Sequence, residues 1–380
     1  MTRKISRWIT IGGLLLLVVG GMGCNTSTDQ FTVAEQAEID EFLATNESDV
    51  TATDANTLLH KAVDHRDSFV KTGLPVNEIQ FTAEEQAEID EFLARYGSDV
   101  EKADTDGNRL LHKAADLYHL RNIGIVKFLV SEGADVNAKN EDDDTSLHMA
   151  ARRDNIGVAA FLVSQGADVH ATNKHGWTPL HDAACREKVE VAQFLVSEGA
   201  NVNLKDNSGW TPLHWATTNG RVEMAKFFVS KGADIHAKNP DNETPLHKAA
   251  GLYRRNIELV KFLVSKGADV NEKCKNDWSS LHWATHWGAL EGSVEVVDFL
   301  ISKGSRVNEK GWNGATPLHL AARCGDVELV KFLVSKGADV HVKDNDGNIP
   351  LDSAKTPIDL SRKEGQAAVV EYLSGVANGE

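Results

Sequence analysis

Cysteine is scarce in this sequence of 380 residues, which contains only four. Beyond position 24 the three cysteines, Cys185, Cys274 and Cys324, form an odd set with no obvious pairing, so nothing supports a disulfide framework. Catalytic motifs are also missing, since there is no Gly-x-Ser-x-Gly elbow, no phosphate loop, no zinc-protease helix motif and no Cys-x-x-Cys pair. We therefore expect no enzymatic activity, no cofactor and no bound metal.

Positive charge is in deficit, with 40 Lys and Arg against 56 Asp and Glu. Phosphate binding needs a basic stripe, and none is visible, which disfavours a nucleic-acid partner. The acidity is uneven: residues 25–106 hold 20 acids and 5 bases, whereas residues 107–380 hold 36 and 32. The acidic end is either a solvated capping face or a docking surface for a basic partner or for cations.

A long apolar run without charges occurs near the start, from Ile9 to Gly21, and it is short for a membrane span, which needs about 20 residues. Basic residues precede it, and Gly21-Met22-Gly23-Cys24 follows it as a small-residue site ending in cysteine. The pattern predicts an export signal over residues 1–23. It resembles a bacterial lipoprotein signal, in which Cys24 becomes the acylated first residue.

This resemblance implies a place in the bacterial cell envelope, periplasmic or at the surface, with acyl chains holding the protein to a membrane. Each buried CH₂ group of such a chain contributes roughly 0.8 kcal/mol. Residues 24–30 would then be a polar tether. Two alternatives stay open, namely cleavage after Gly21 or Gly23 without lipidation, and an uncleaved anchor.

One phrase recurs seven times with a period of about 33 residues, which marks a stacked repeat array. It starts near a histidine and ends at a glycine. The histidines are His112, His148, His181, His214, His247, His282 and His319, and the glycines are Gly133, Gly166, Gly199, Gly232, Gly267, Gly304 and Gly337.

The unit that starts at Thr178 shows how one repeat should fold. Thr178 is a good helix N-cap, and Pro179 suits the first helical position, where its missing N–H costs nothing. Residues 189–196 carry apolar side chains at helical spacing, and Gly199 suits the left-handed position that ends a helix. Residues 206–209, Asp-Asn-Ser-Gly, predict a turn. Each unit is thus helix, turn, helix and hairpin-like loop, and neighbouring units must bury its apolar faces.

The sequence resembles the ankyrin repeat family over roughly residues 100 to 375. Thr-Pro-Leu-His stands in full at 178–181, 211–214, 244–247 and 316–319, and in variant form at 109–112, 145–148 and 279–282. The resemblance implies an all-α ankyrin-repeat solenoid of stacked helix-turn-helix units with hairpin-like loops. It also implies that the repeat histidines are structural and brace neighbouring loops, and that a concave face binds other macromolecules.

The acidic region contains an internal duplication. Residues 31–50 and 81–100 agree at 15 of 20 positions, and each copy opens with Thr-x-x-Glu, the capping-box pattern that fixes a helix start. We interpret residues 31–106 as degenerate repeats and an N-terminal cap, because the terminal repeats of an array face water and are atypical.

The remaining boundaries follow from the repeats. Residues 107–343 form about seven ankyrin repeats, residues 344–375 a C-terminal capping repeat and residues 376–380 a tail. Within the cap, Ile349-Pro350 and Thr356-Pro357 are both candidate helix starts, and Thr356 makes the second the better capped. A final helix is predicted around residues 369–373.

Tryptophans supply the candidate binding residues, because aromatic side chains dominate many protein interfaces. The candidates are Trp177, Trp210, Trp278, Trp287 and Trp312. Three of them immediately precede the Thr or Ser that starts a first helix, a position that the resemblance places at the loop base on the concave side. Trp287 and Trp312 occupy positions that are normally exposed in the family. Trp215 and Trp283, which follow the repeat histidine, are expected to pack against a neighbouring helix.

Taken together, the sequence predicts a monomeric, non-catalytic scaffold that binds one or more proteins and no nucleic acid. An alternative is a secreted effector that binds proteins of another organism after its signal is cleaved without lipidation. A metal or calcium binder using the acidic end is a third, weaker possibility. His282 and His286 have metal-ligand spacing on a helix, but His282 is the structural histidine of its repeat.

Overall fold

A computed structural model describes residues 80–117, 122–251, 257–286, 293–356 and 363–378. Within these ranges the regular structure is helical and contains no β-strand, so the prediction of an all-α repeat fold is confirmed. No helix in these ranges combines the length and apolar character needed to cross a lipid bilayer. Cys24, Trp287 and the first copy of the duplication lie outside the described residues.

The described ranges hold the following helices in chain order. They are α1 (Ala83–Tyr96), α2 (Leu110–Ala115), α3 (Asn122–Ser131), α4 (Ser146–Arg153), α5 (Ile156–Ser164), α6 (Pro179–Arg186), α7 (Val189–Ser197), α8 (Pro212–Thr218), α9 (Val222–Ser230), α10 (Pro245–Ala250), α11 (Ile257–Ser265), α12 (Ser280–His286), α13 (Ser293–Ser302), α14 (Pro317–Cys324), α15 (Val327–Ser335), α16 (Pro350–Ala354) and α17 (Lys363–Ala377). A short 3₁₀ turn, Trp312–Gly314, precedes α14.

The chain divides into two compact units. The first runs to Glu141 and includes residues 145–150 and 157–167. The second comprises residues 142–144, 151–156 and 168 onward.

The first unit begins with α1, whose start follows from its sequence. The Thr82 hydroxyl accepts the N–H of Glu85 at 3.2 Å, and the Glu85 carboxylate accepts the N–H of Thr82 at 2.9 Å. This reciprocal capping box is the one that the Thr-x-x-Glu pattern predicts. Helix α1 packs on α3, and the ring of Phe81 meets that of Phe128 edge to face at 6.1 Å. The duplicated segment therefore supplies a covering helix for this unit.

The second unit stacks helix pairs in two rows. The first helices of successive repeats, α6, α8, α10, α12, α14 and α16, pack side by side, as do the second helices α7, α9, α11, α13, α15 and α17. Within each repeat the two helices also pack on each other. Buried alanines such as Ala183 and Ala216 leave little side chain on the first helices, which permits close approach. Larger side chains such as Phe228 fill the space between the rows.

The glycines that end the repeats adopt the conformation that their residue type allows. All seven predicted stop glycines have positive φ, from 83° at Gly232 to 99° at Gly267. Such a φ is strained for any residue with a Cβ, so glycine is needed at these helix ends. After the glycine, Asn203 links two repeats, since its amide donates to Gly232 O at 3.0 Å and its carbonyl accepts the N–H of Asp234 at 2.7 Å.

The final repeat has a helix at the first of its two candidate helix starts. Helix α16 starts at Pro350, with Ile349 at the N-cap, and the Asp352 carboxylate accepts the N–H of Ile349 at 3.2 Å. The second candidate start, Thr356-Pro357, leads into residues 357–362, which lie outside the described residues. Helix α17 runs to Ala377 and so enters the segment predicted to be a tail.

Candidate functional site

The repeat histidines of the second unit join one repeat to the next. In the repeat of His214, the N–H of Thr211 donates to Nδ1 at 3.3 Å, and Nε2 lies 3.1 Å from the carbonyl oxygen of Glu243. Because Nδ1 accepts a backbone N–H, Nε2 carries the proton and donates to that carbonyl. The same Nε2 contact reaches Trp210 O from His181 at 3.4 Å, Trp278 O from His247 at 3.2 Å, Glu309 O from His282 at 3.1 Å and Asn348 O from His319 at 3.1 Å.

In the first unit, two histidines use Nδ1 in the same way. His112 accepts the N–H of Arg109 at 3.2 Å, and His148 accepts the N–H of Thr145 at 3.1 Å. Each histidine therefore takes the place of the Glu in a capping box and secures the first turn of its helix. The Thr145 hydroxyl lies 2.9 Å from Nδ1 of His148 and adds a second contact to that ring.

Burial fixes the charge state of these rings. It lowers the pKa of His214 and of His282 to about 4, and the hydrogen bond to the neighbouring carbonyl only partly opposes this effect. Burial also lowers the pKa of His247 and of His319. The rings are therefore neutral at pH 7, and their hydrogen bonds link adjacent repeats.

Loop geometry places three of the candidate tryptophans. The N–H of Asn173 donates to Trp177 O at 3.0 Å, that of Asp206 to Trp210 O at 2.9 Å and that of Cys274 to Trp278 O at 3.0 Å. In two of these loops the side chain at the first position also accepts the tryptophan N–H, at 3.0 Å in Asn173 and 2.9 Å in Asp206. Each tryptophan thus stands at the base of a closed turn, directly before a first helix.

Tryptophans from neighbouring repeats contact one another. Trp215, on α8, lies with its ring centroid 4.6 Å from that of Trp177 and 4.7 Å from that of Trp210. Its indole N–H donates to the carboxylate of Asp206 at 2.9 Å. Edge-to-face and tilted ring pairs at such distances are attractive, and the hydrogen bond fixes the orientation of the central ring.

Lys248, on α10, lies between the tryptophans of the preceding repeat and those of the following repeat. Its ammonium nitrogen lies 4.8 Å from the ring centroid of Trp210 and also 4.8 Å from that of Trp283. Both distances fall within the range of a cation–π interaction. The Glu243 carboxylate lies 2.6 Å from the same nitrogen, and the two side chains are only 12–13% exposed. The lysine is therefore a neutralised bridge between two groups of tryptophans.

The second group of aromatic side chains lies on α12 and on the loop before α12. The centroids of Trp278 and Trp283 are 5.8 Å apart, and those of Trp278 and His286 are 5.0 Å apart. Burial, followed by the charge of Arg323, lowers the pKa of His286, so this ring is uncharged at pH 7. The aromatic strip is the continuous set of half-buried side chains Trp177, Trp215, Trp210, Lys248, Trp283, Trp278 and His286.

Trp312 lies next to the end of the aromatic strip. It is 62% exposed, and it follows Gly311, whose backbone lies close against the ring of Trp278. A Cβ at position 311 would be 2.7 Å from that ring, so glycine is needed for this approach. The loop therefore presents a large apolar side chain to solvent, one residue after its close approach to the strip.

The structure joins residues that the sequence assigned to different roles. Trp177, Trp210 and Trp278 were predicted as binding residues, and the strip contains all three. Trp215 and Trp283 were predicted to pack on a neighbouring helix; Trp283 contacts Lys248 on α10, and both rings also contact these tryptophans. Lys248 was missed, although it occupies the same position after the repeat histidine as Trp215 and Trp283. That shared position was the available signal.

A buried ion cluster lies near the start of the second unit. The Arg152 guanidinium is 2.6 Å from an oxygen of Asp144 and 2.8 Å from one of Asp182, and these two aspartates are 3% and 0% exposed. Burial acts to lower the pKa of Arg152, but the neighbouring carboxylates, Asp182 foremost, outweigh it and raise the pKa. Asp182 also pairs with Arg186 at 2.9 Å. The sequence analysis did not identify this cluster.

Comparison with known proteins identifies the repeats. A family model described as "Ankyrin repeats (3 copies)" matches residues 79–173, 147–239, 232–311 and 286–378. These matches together extend from residue 79 to residue 378, well over half of the chain. No curated protein matches the chain.

Proposed function

The chain belongs to the ankyrin repeat family, and we propose that it is a non-catalytic scaffold that binds a protein on the aromatic strip and on Trp312. Ankyrin repeats generally mediate protein–protein interactions. The single observation that carries the proposal is the continuous aromatic strip, in which Lys248 bridges two groups of tryptophans that are each joined by ring contacts. Tryptophan is the residue type most enriched among interface hot spots.

The strip is suited to binding because its side chains are already ordered. Trp215 is held by its hydrogen bond to Asp206, and Lys248 is held between two rings. Ordering a flexible side chain costs about 0.5–1.5 kcal/mol on binding, and a preorganised surface avoids much of that cost. Trp312 adds an exposed ring that gains burial when a partner covers it.

Photo-crosslinking from position 312 tests this proposal. We expect that Trp312 replaced by p-benzoylphenylalanine in the full chain will form a protein adduct on irradiation in cells. The same probe at Gln193, an exposed position on α7 in the other row of helices, should form none. The adduct should disappear when Trp210→Ala is added, since this change opens the strip, and should remain with Tyr96→Ala, a change to an exposed aromatic residue of the first unit.

The outcomes of this experiment separate cleanly. Adducts of equal strength from positions 312 and 193 would mean non-specific contact, and no adduct from position 312 would remove the proposed surface. Thermal unfolding of the Trp210→Ala variant, followed by circular dichroism, checks that the helices persist. A variant that stays folded and still forms the adduct also contradicts the proposal.

We further propose that the protein is exported and held at a membrane of the cell envelope through Cys24. The support lies in the sequence, where basic residues, an apolar run and Gly21-Met22-Gly23-Cys24 follow one another. A secreted effector without a lipid is the alternative. Two or more acyl chains are needed for stable anchoring, because a single chain binds membranes only marginally.

The mass of the mature N-terminus distinguishes these possibilities. We expect an N-terminal peptide that begins at Cys24 and carries the added mass of acyl chains, with the protein in the membrane fraction. Cys24→Ala should release the protein into the soluble fraction or leave its signal uncleaved. A mature N-terminus without added mass, found outside the cells, would instead support the secreted effector.

A further inference from the structure

The charge of the aromatic strip limits the class of partner that it can bind. Lys248 is paired with Glu243 at 2.6 Å, and Asp206 accepts hydrogen bonds from the indole of Trp215 and from the backbone N–H of Trp210. Lys248 is therefore neutralised by its ion pair, so the described side chains that make up the strip carry no net charge. Electrostatic complementarity favours an uncharged partner segment over an acidic or basic one.

The distance between the repeats that form the strip limits the backbone conformation of the partner. Its members come from four consecutive repeats, those of His181, His214, His247 and His282, and packed helix axes lie about 8–10 Å apart. A polyproline II helix turns once every three residues at about 3.1 Å each, roughly 9 Å per turn. Residues on one face of a β-strand recur at roughly 7 Å, and one turn of an α-helix rises about 5.4 Å. Only the first of these periods matches the repeat spacing.

The stiffness of the strip favours a stiff partner. Its rings hold one another in fixed orientations, as the contacts of Trp215 and Lys248 show. Proline-rich segments are extended before they bind, and they dock on aromatic grooves with little loss of conformational entropy. A rigid aromatic surface and a preformed extended helix therefore complement each other.

We propose that the aromatic strip binds an uncharged, proline-rich segment in the polyproline II conformation, with one turn of the segment resting on each repeat. This inference rests on the proposed function and names the class of partner. Four repeats accommodate about ten residues, since three intervals of roughly 9 Å equal about nine steps of 3.1 Å and bring every third residue onto a repeat. Proline rings stack on the indole faces of the tryptophans, and the neutral backbone needs no charged group on the strip.

A length series of peptides tests the proposal on the full chain. Acetylated, amidated proline peptides of three, six and nine residues, about one, two and three turns, are titrated while tryptophan fluorescence is recorded. We expect affinity to rise roughly tenfold or more from the shortest to the longest peptide. A Gly-Ser peptide of the same length, a glutamate-rich peptide and a neutral β-1,4-linked glucose oligomer are the comparison ligands, and none should bind comparably.

Matched variants test whether the peptides bind to the aromatic strip. Trp278→Ala should weaken the binding of the longest proline peptide by roughly tenfold or more, as expected for loss of a large aromatic contact. Tyr96→Ala should leave its affinity within about twofold, because Tyr96 belongs to the other unit. The milder Trp278→Phe, which keeps an aromatic ring, should retain most of the binding and guards against misfolding of the alanine variant.

Each result decides the proposal. Equal affinity for all proline lengths, comparable binding of any comparison ligand, or full binding by a folded Trp278→Ala variant would overturn it. A position-312 adduct to a protein, combined with no binding of the proline peptides, would leave the proposed function standing and remove only the proline-rich class. Absence of both would remove the aromatic strip as a binding surface.

Discussion

Acidification from pH 7 to pH 5 is expected to destabilise the second unit by about 4 kcal/mol through His214 and His282 alone. The pKa of each ring is about 4 in the folded protein, where burial disfavours the charged form. An unfolded histidine has a pKa of about 6.5. At pH 5 the unfolded chain therefore binds a proton at each site and the folded chain does not, which costs about 2 kcal/mol per ring.

The direction of the effect follows from where the protons bind. Above pH 6.5 neither state holds the proton, and the stability is complete. As the pH falls from 6.5 towards 4, the unfolded state gains protons and stability is lost. His247 and His319, whose pKa values burial also lowers, act in the same direction. The ion-paired carboxylate of Glu309 has a lowered pKa and contributes below this range, so the histidines dominate between pH 7 and pH 5.

Urea unfolding followed by circular dichroism at several pH values measures this loss. The matched control is His214→Gln, whose side-chain amide keeps a donor and an acceptor but does not titrate. Between pH 7 and pH 5 this variant should lose about 2 kcal/mol less than the parent protein. If both proteins lose the same free energy, His214 is not buried as a neutral ring and the assignment of Nε2 as the donor is wrong.

The repeat fold was predictable because each repeat contains residues that mark the start of its first helix and the end of its second helix. Thr178-Pro179 predicted the start of α6, and Gly199 predicted the left-handed turn that follows α7, as the structure has them. The final repeat was harder to predict, because the sequence contains two candidate helix starts and the Asp352 carboxylate caps the earlier one. Packing decides where such a helix starts more than local propensity does. Here α16 starts at Pro350 and packs on α14.

The candidate site was predictable in part. The sequence placed Trp177, Trp210 and Trp278 at one repeat position, which pointed to a shared surface. It could not show that Trp215 reaches back to Trp177, because that contact depends on how far adjacent repeats are offset. Lys248 was overlooked for a related reason. A lysine in a sequence predicts an exposed side chain, and its contacts with two rings become visible only in the structure.

The second large effect is expected at Arg152, whose replacement by methionine should cost about 3–5 kcal/mol of folding free energy. Methionine has a similar length and packs well, so the loss reflects charge rather than volume. Without the guanidinium, two buried carboxylates remain close to the same site, Asp144 with the Asn173 amide at 2.8 Å and Asp182 with Arg186 at 2.9 Å. Those contacts compensate the two negative charges only in part.

The pH dependence of the variant separates this cause from a packing defect. With Arg152 absent, the carboxylates of Asp144 and Asp182 are raised in pKa by burial, so the folded variant takes up protons more readily than the unfolded chain and gains stability as pH falls. Arg152→Met should therefore recover part of its lost free energy on acidification, the opposite of the effect of the histidines. Adding Asp144→Asn, which removes one charge at nearly constant volume, should recover a similar part at pH 7. A loss that is unchanged by pH and by Asp144→Asn would show that Arg152 acts through packing, and the charged cluster would then hold no net role in the stability of the second unit.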